Sequence, residues 1–182
     1  MKNFIHVKEK AYPKKSCKNL IKLFEENIKI SKPGNFGNNL KLNNLEIPCV
    51  INNLDDFWGL GNTIVKVIQE YKKEYMLFDS NIEKWNLNKN FQLCKFEPGD
   101  FYNYIHCEND GNKNNLNRVF AWMVYLNDIK EGGETEFIYQ NFKTKPKQGN
   151  FYIWPAGITH MHKGVVAPKE NKYFISGWIN YI

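Results

Sequence analysis

The first 80 residues carry apolar side chains at helical spacing in two places. Leu20, Ile21, Leu23, Phe24 and Ile28 fall on one face of a helix that Ser16 can cap and that Lys32-Pro33-Gly34 stops. An Asn- and Gly-rich loop is expected over residues 34–44, then a short strand over residues 45–51. Asp55 or Asn62 opens a second helix whose apolar face runs through Ile64, Val65, Ile68, Tyr71, Tyr75 and Met76. No catalytic constellation gathers in this half.

From Asn90 the texture changes. Residues 91–96, 101–107, 118–126, 135–139, 150–154 and 173–179 are short aromatic and β-branched runs. Turn-forming stretches separate them, among them Glu97-Pro98-Gly99-Asp100 and residues 109–117. Strands at roughly ten-residue spacing argue for a sandwich or barrel, with the helices packed on its outside. No internal repeat and no linker interrupts the pattern. The 182 residues therefore suit a single domain, mainly β with flanking N-terminal helices. Residues 1–89 form its helical support region with one strand, and residues 90–182 its β core.

Composition sets bounds on this picture. Hydrophobic residues make up 42% and aromatic residues 15%, enough for a sizeable core and against wholesale disorder. No apolar run approaches the ~18 residues that span a bilayer, and the opening segment lacks an apolar signal core. A soluble, cytoplasmic protein is expected, with no membrane partner. The net charge of +6 invites a nucleic-acid reading. However, the 25 basic residues are 24 Lys and one Arg, Arg118, in a chain with 26 Asn. Readers of nucleic acid lean on Arg for bidentate contacts, so this composition points to an AT-rich genome instead. Cys17, Cys49, Cys94 and Cys107 form no C-x-x-C pair and read as reduced, structural thiols.

The candidate chemistry lies in the second half, where three of the four His occur. His106 and Glu108 sit at i and i+2 on an expected strand, so alternation points both to one face. A further His arrives more than fifty residues later, in Thr159-His160-Met161-His162. Two imidazoles and one carboxylate on one face of a small barrel match the triad that holds Fe(II) and leaves positions open. Zinc takes the same ligand types, and a strand His beside a surface Glu also occurs without any metal.

The neighbouring residues narrow the choice. Phe96-Glu97-Pro98-Gly99 precedes His106-Cys107-Glu108; Arg118 leads into Tyr125-Leu126-Asn127; then come Gly132-Gly133-Glu134-Thr135-Glu136-Phe137 and Lys145-Pro146-Lys147-Gln148-Gly149. Lys172 follows His162 by ten residues, and Trp178 comes after it. In this order and spacing, from about Leu93 to Trp178, the chain resembles the 2-oxoglutarate- and Fe(II)-dependent dioxygenases, in particular the prolyl-4-hydroxylase-like branch.

That resemblance implies a double-stranded β-helix, a jelly-roll or cupin-like barrel. It implies His106, Glu108 and a distal His as iron ligands. His162 is favoured over His160 because the family's basic residue follows the ligand by about ten positions. Glu108 replaces the commoner Asp, and Asp110 is a weaker candidate for the carboxylate. Lys172 would pair with the far carboxylate of 2-oxoglutarate, aided by the Tyr125 hydroxyl and by Ser176. Phe96 stands where relatives often carry a Tyr. Arg118 would hold an ion pair near the site or touch substrate, and the glycines at 132 and 133 would serve a tight turn. Trp122, Trp154 and Tyr102 read as core residues.

The implied reaction consumes Fe(II)-bound 2-oxoglutarate and O2, with ascorbate as an optional reductant, and yields succinate, CO2 and a hydroxylated C–H bond. A prolyl residue of a protein or peptide is the leading substrate. A lysyl side chain, a free amino acid or a nucleobase is the alternative, as is a catalytically silent barrel used as a binding module. Specificity is expected in the loop of residues 109–117 and around Phe142. Compact relatives of this type occur in phages and marine bacteria, and a phage-encoded protein would act in the host cytoplasm.

Overall fold

Side-chain alternation along the central strands divides the apolar residues into two sets, and the fold follows from where each set is buried. The computed structural model describes residues 2–36, 40–75, 84–100 and 104–182. Its strands are β1 (His6–Lys8), β2 (Lys32–Phe36), β3 (Leu40–Val50), β4 (Trp85–Phe96) and β5 (Arg118–Tyr125). They continue with β6 (Thr135–Phe137), β7 (Phe142–Lys143), β8 (Phe151–Pro155), β9 (His162–Gly164) and β10 (Lys172–Tyr181). Two helices, α1 (Lys14–Glu26) and α2 (Asp56–Glu74), lie in the first half. A seven-stranded sheet has the order β1-β8-β5-β10-β4-β3-β2, a three-stranded sheet the order β7-β6-β9, and the strand pairings are antiparallel. This is the mainly β, jelly-roll architecture expected from the sequence.

One face of the large sheet carries Phe120, Trp122 and Val124 of β5, Phe151 and Ile153 of β8, Ile175 and Ile179 of β10, and Phe91 and Leu93 of β4. Leu20 and Phe24 of α1, with Leu60, Ile64, Val67 and Tyr71 of α2, cover that face. Each such side chain contributes roughly 1.5–3 kcal/mol on full burial. The alternate residues Ala121, Met123, Tyr125, Tyr152 and Trp154 point the other way and pack on Phe137 of the small sheet. Three short strands cover only part of this inner face. The remainder is the wall of a cavity of about 390 Å³, lined by Lys172, Phe174, Ser176 and Trp178 of β10 and by Gln92, Cys94 and Phe96 of β4. The β10–β4 register sets them in rows, with Lys172 opposite Phe96, Phe174 opposite Cys94 and Ser176 opposite Gln92.

Several local expectations need correction. The first helix starts at Lys14 with Pro13 in the cap position, and Ser16 is buried inside it. Residues 34–44 are not simply a loop, because β2 and β3 form a hairpin that reaches into that stretch. Pro33 is tolerated because β2 is the edge strand, and the register shifts beside it. At the second helix Asp55 takes the cap position, and Phe57, Trp58 and Gly59 adopt left-handed φ before the regular turns begin. Strands β1 and β9 had no sequence signal, being three residues each. Met76, Tyr102 and the expected strand positions 101–103 lie outside the described residues. Trp122 and Trp154 are core residues, as expected.

The glycine turn has a measurable consequence. Gly132 has φ of +69°, and a Cβ there would lie 1.8 Å from the Val166 carbonyl oxygen. Gly132→Ala is expected to lower stability by roughly 2–3 kcal/mol, from left-handed strain plus displacement of backbone. Urea unfolding of the variant beside wild type measures it, as a lower midpoint at unchanged slope.

Candidate active site

The segment that carries His106 and Glu108 is not a strand. His106 makes a single antiparallel bridge with His162: its N–H donates to the His162 carbonyl at 3.0 Å, and the His162 N–H returns the bond at 2.9 Å. The chain then bends off the ladder, because the N–H groups of Glu108 and Asn109 both converge on the Ala156 carbonyl. The backbone bridge, and not two-residue alternation, brings the two imidazoles together, with ring centroids 4.4 Å apart.

Each ring is then oriented from behind. The Nδ1 of His106 lies 2.9 Å from the Tyr104 carbonyl, and the Nδ1 of His162 lies 2.9 Å from the His160 carbonyl. A carbonyl only accepts, so each Nδ1 carries the proton and each Nε2 offers a lone pair. Both Nε2 atoms face Glu108 Oε1, at 3.8 Å from His106 and 3.4 Å from His162. The three ligand atoms lie within 4.8 Å of one another, the one such group among the described residues. Two imidazole nitrogens and a carboxylate oxygen, disposed in this way, fit a first-row divalent ion with coordination positions left open.

The other carboxylate oxygen of Glu108 is held away from this group. The Trp178 indole N–H donates to Oε2 at 2.7 Å, and the Arg118 guanidinium lies 3.6 Å from it. Arg118 also donates to the Glu108 carbonyl at 3.0 Å and stacks on the Trp178 ring at 3.8 Å. So the lone Arg holds the ion pair near the site, and the extra methylene of Glu over Asp is absorbed by a fixed pair of donors. Burial by itself would raise the Glu108 carboxyl, but its electropositive neighbours, His162 first and then His106 and the Trp178 N–H, outweigh it and hold it at about 2. Trp178→Phe removes the donor to Oε2 while keeping a ring for Arg118. It is expected to weaken Fe(II) affinity about tenfold or more, read by competition with a chelator.

His160 lies apart from this group. Its Nε2 is 2.9 Å from the Asn3 carbonyl and its Nδ1 2.9 Å from the Thr159 hydroxyl, so its ring is committed to the N-terminal segment. Asp110 accepts from the Asn112 N–H and the Asn115 amide, both at 3.0 Å, and ties its own loop.

Lys172 is 6% exposed and makes no hydrogen bond or ion pair among the described residues. Its ammonium instead lies 5.0–5.5 Å from the rings of Phe174, Phe96 and Tyr125. Burial pushes its pKa down to about 8. A buried, unpaired cation facing a cavity calls for an anion, and a carboxylate supplies one. Ser176 reaches the same wall. The Tyr125 hydroxyl does not, being bonded to the Gly133 carbonyl at 3.2 Å and to the Thr144 hydroxyl at 2.6 Å. Only its ring serves Lys172. Phe96 contributes a face to the same surround, not a hydroxyl. The sequence reading missed Trp178 as a carboxylate partner, although it shares the alternation that places Lys172. It also missed Asn44, Glu46 and Gln92, which line the cavity from β3 and β4.

Comparison with known proteins gives a consistent outcome. In sequence, 116 residues are 25% identical to a probable prolyl 4-hydroxylase of Arabidopsis thaliana, covering 50% of this chain and 40% of that protein. In structure, a viral collagen prolyl hydroxylase from Paramecium bursaria Chlorella virus-1, in complex with 2OG, superposes with a TM-score of 0.71 at 20% identity, covering 98% of this chain and 97% of that one. A prolyl-4-hydroxylase from Pseudomonas putida gives 0.71 at 11% identity, covering 99% and 94%. At these identities the structural likeness speaks to the fold. A family model described as the 2OG-Fe(II) oxygenase superfamily matches residues 91–180, the span that holds His106, Glu108, His162 and Lys172. The chain belongs to the 2OG-Fe(II) oxygenase superfamily.

Proposed function

We propose that the protein hydroxylates a prolyl residue of a protein or peptide, acting as a single catalytic domain with Fe(II), O2 and 2-oxoglutarate. His106, Glu108 and His162 are the metal ligands in this reading, and Lys172 receives the far carboxylate of 2-oxoglutarate. The observation that carries it is the pairing, in one cavity, of three converging ligand atoms with a buried cation that has no hydrogen-bond or ion-pair partner among the described residues. The prolyl hydroxylases similar to it support the choice of substrate, one of them solved in complex with a hypoxia inducible factor peptide fragment.

When bound, Fe(II) with 2-oxoglutarate and O2 supplies an oxidative decarboxylation that places one oxygen atom in a C–H bond. The chain's own residues orient and enclose. The Tyr104 and His160 carbonyls fix the two imidazoles, while Trp178 and Arg118 fix the carboxylate. Such preset ligands leave little to reorganise as reactants arrive. The aromatic surround of Lys172 excludes water and strengthens its attraction for a carboxylate. Trp154 and Phe137 pack on His162 and keep its ring from turning.

Purified protein given Fe(II), 2-oxoglutarate, ascorbate and a library of proline-containing peptides should release succinate and yield peptides heavier by one oxygen atom on proline. Succinate release with oxidation at another residue type would overturn the prolyl assignment alone. No succinate with any peptide would overturn the reading altogether.

A further inference from the structure

The cavity has a second unpaired charge, of opposite sign. Residues Asn44 and Glu46 of β3 point to the inner face of the large sheet, and Glu46 pairs in register with Cys94 of β4. The Glu46 carboxylate accepts a hydrogen bond from the Asn44 amide nitrogen at 2.9 Å and meets no cation among the described residues. A carboxylate only accepts, so this bond sets the orientation of the Asn44 amide and leaves its Oδ1 as the free end. Asn44 is 1% exposed, and its Oδ1 has no donor; the buried Oε1 of Gln92, on the same wall, has none either. Two neighbouring side chains thus present buried acceptors without donors, beside a carboxylate that meets no cation among the described residues, a costly arrangement unless a ligand supplies the partners.

The wider lining has the same sign. Glu46, Asp100, Glu108 and Asp110 face it with Arg118 and Lys172 as the basic residues, in a chain whose net charge is +6. Glu108 is occupied by Arg118, Trp178 and the two imidazoles, and Lys172 by a carboxylate in the function proposed above. Glu46 is left to act on whatever else enters.

We propose that Glu46, framed by Asn44 and Gln92, receives a cationic group of the substrate, an ammonium or guanidinium carried by a residue beside the oxidised proline. The inference rests on the oxygenase reading of the same cavity. It makes the substrate a Lys- or Arg-flanked prolyl peptide, selected by an acidic wall within a basic protein. Gly34 is what allows the wall to form: a Cβ there would lie 2.6 Å from both Asn44 Oδ1 and Glu46 Oε1.

The test is peptide binding, followed by fluorescence anisotropy, to protein loaded with Mn(II) and 2-oxoglutarate without oxygen. Probes are a labelled peptide with Lys next to proline and its Gln and Glu counterparts, with free L-proline as a competitor. Wild type should bind the Lys peptide about tenfold or more tightly than the Gln peptide, and the Glu peptide most weakly. Glu46→Gln should erase the Lys-over-Gln preference, and Glu46→Lys should reverse it toward the Glu peptide. Calorimetric 2-oxoglutarate binding in both variants confirms that they fold. A wild type without charge preference overturns the proposal, as does a preference that survives Glu46→Gln. If free L-proline competes with an equal, Glu46-dependent gain, the cation is an amino acid's own ammonium and the peptide assignment is overturned. Failure of 2-oxoglutarate itself to bind would instead remove the oxygenase reading beneath it.

Discussion

Replacing His162 by alanine should abolish Fe(II) binding and hydroxylation, whereas His160→Ala should leave metal affinity within about threefold of wild type. Losing a direct ligand costs more than the 10–100-fold typical of a residue that merely orients one, so the first variant should fall at least about a hundredfold in affinity. The two residues are neighbours in sequence with separate partners. The His162 Nε2 faces Glu108, while the His160 Nε2 is spent on the Asn3 carbonyl. His160→Ala leaves that half-buried carbonyl without its donor and should cost about 1 kcal/mol of stability. Anaerobic titration of each variant with Fe(II), beside a urea melt, separates the two effects. Equal loss of metal by both variants would show that His160 belongs to the metal group.

Lys172→Met is expected to act on stability and binding in opposite directions. The Lys172 pKa is held at about 8, below its ordinary 10.5, because burial penalises the ammonium. The folded, ligand-free protein therefore holds the Lys172 proton less tightly than the unfolded chain does. The unfolded state binds more protons between the two values, so stability should rise with pH from about 8 to 10.5. Removing the charge should stabilise the ligand-free protein at pH 7 by on the order of 3 kcal/mol, the free-energy equivalent of that shift. The same substitution should weaken 2-oxoglutarate binding by at least about a hundredfold, since the buried carboxylate loses its counter-charge. In wild type, 2-oxoglutarate affinity should decline as pH passes above about 8 and the free ammonium is lost. Calorimetry across pH checks the binding and thermal melts the stability. Destabilisation by Lys172→Met with unchanged 2-oxoglutarate affinity would make Lys172 a structural residue.

The sequence was most informative where a pattern is local. Alternation from Lys172 to Trp178 put four side chains on one face, and all four line the cavity. Most of the helical faces of α1 and α2 could be read for the same reason, since neighbours on a helix are neighbours in sequence; Val65 is the exception, exposed where Val67 is buried, and Ile28 lies beyond the end of α1. Where contacts are remote, the reading ran out. Alternation does not bring His106 and Glu108 to the cavity; a bridge from His106 to a residue fifty-six positions away does. Nothing local separates His160 from His162; the turn of 3₁₀ helix at Ile158–His160 rotates one ring out of the site. Asn44 falls at the end of the expected loop, because a stretch rich in Asn becomes a strand only by pairing with β4, and Glu46, although on the expected strand, carries no local sign of the cavity it faces. The Tyr125 hydroxyl was misassigned because Thr144, nineteen residues on, takes it first.

The most direct test of the proposed site is the affinity of 2-oxoglutarate measured with and without metal. A ligand held by a metal at one end and by Lys172 at the other must lose binding when either end is removed. Wild type with Mn(II), free of oxygen, should bind 2-oxoglutarate at least about a hundredfold more tightly than the same protein stripped by chelator or the Lys172→Met variant with Mn(II). Equal affinity with and without the metal would contradict the assignment of His106, Glu108 and His162, and with it the oxygenase chemistry of the cavity.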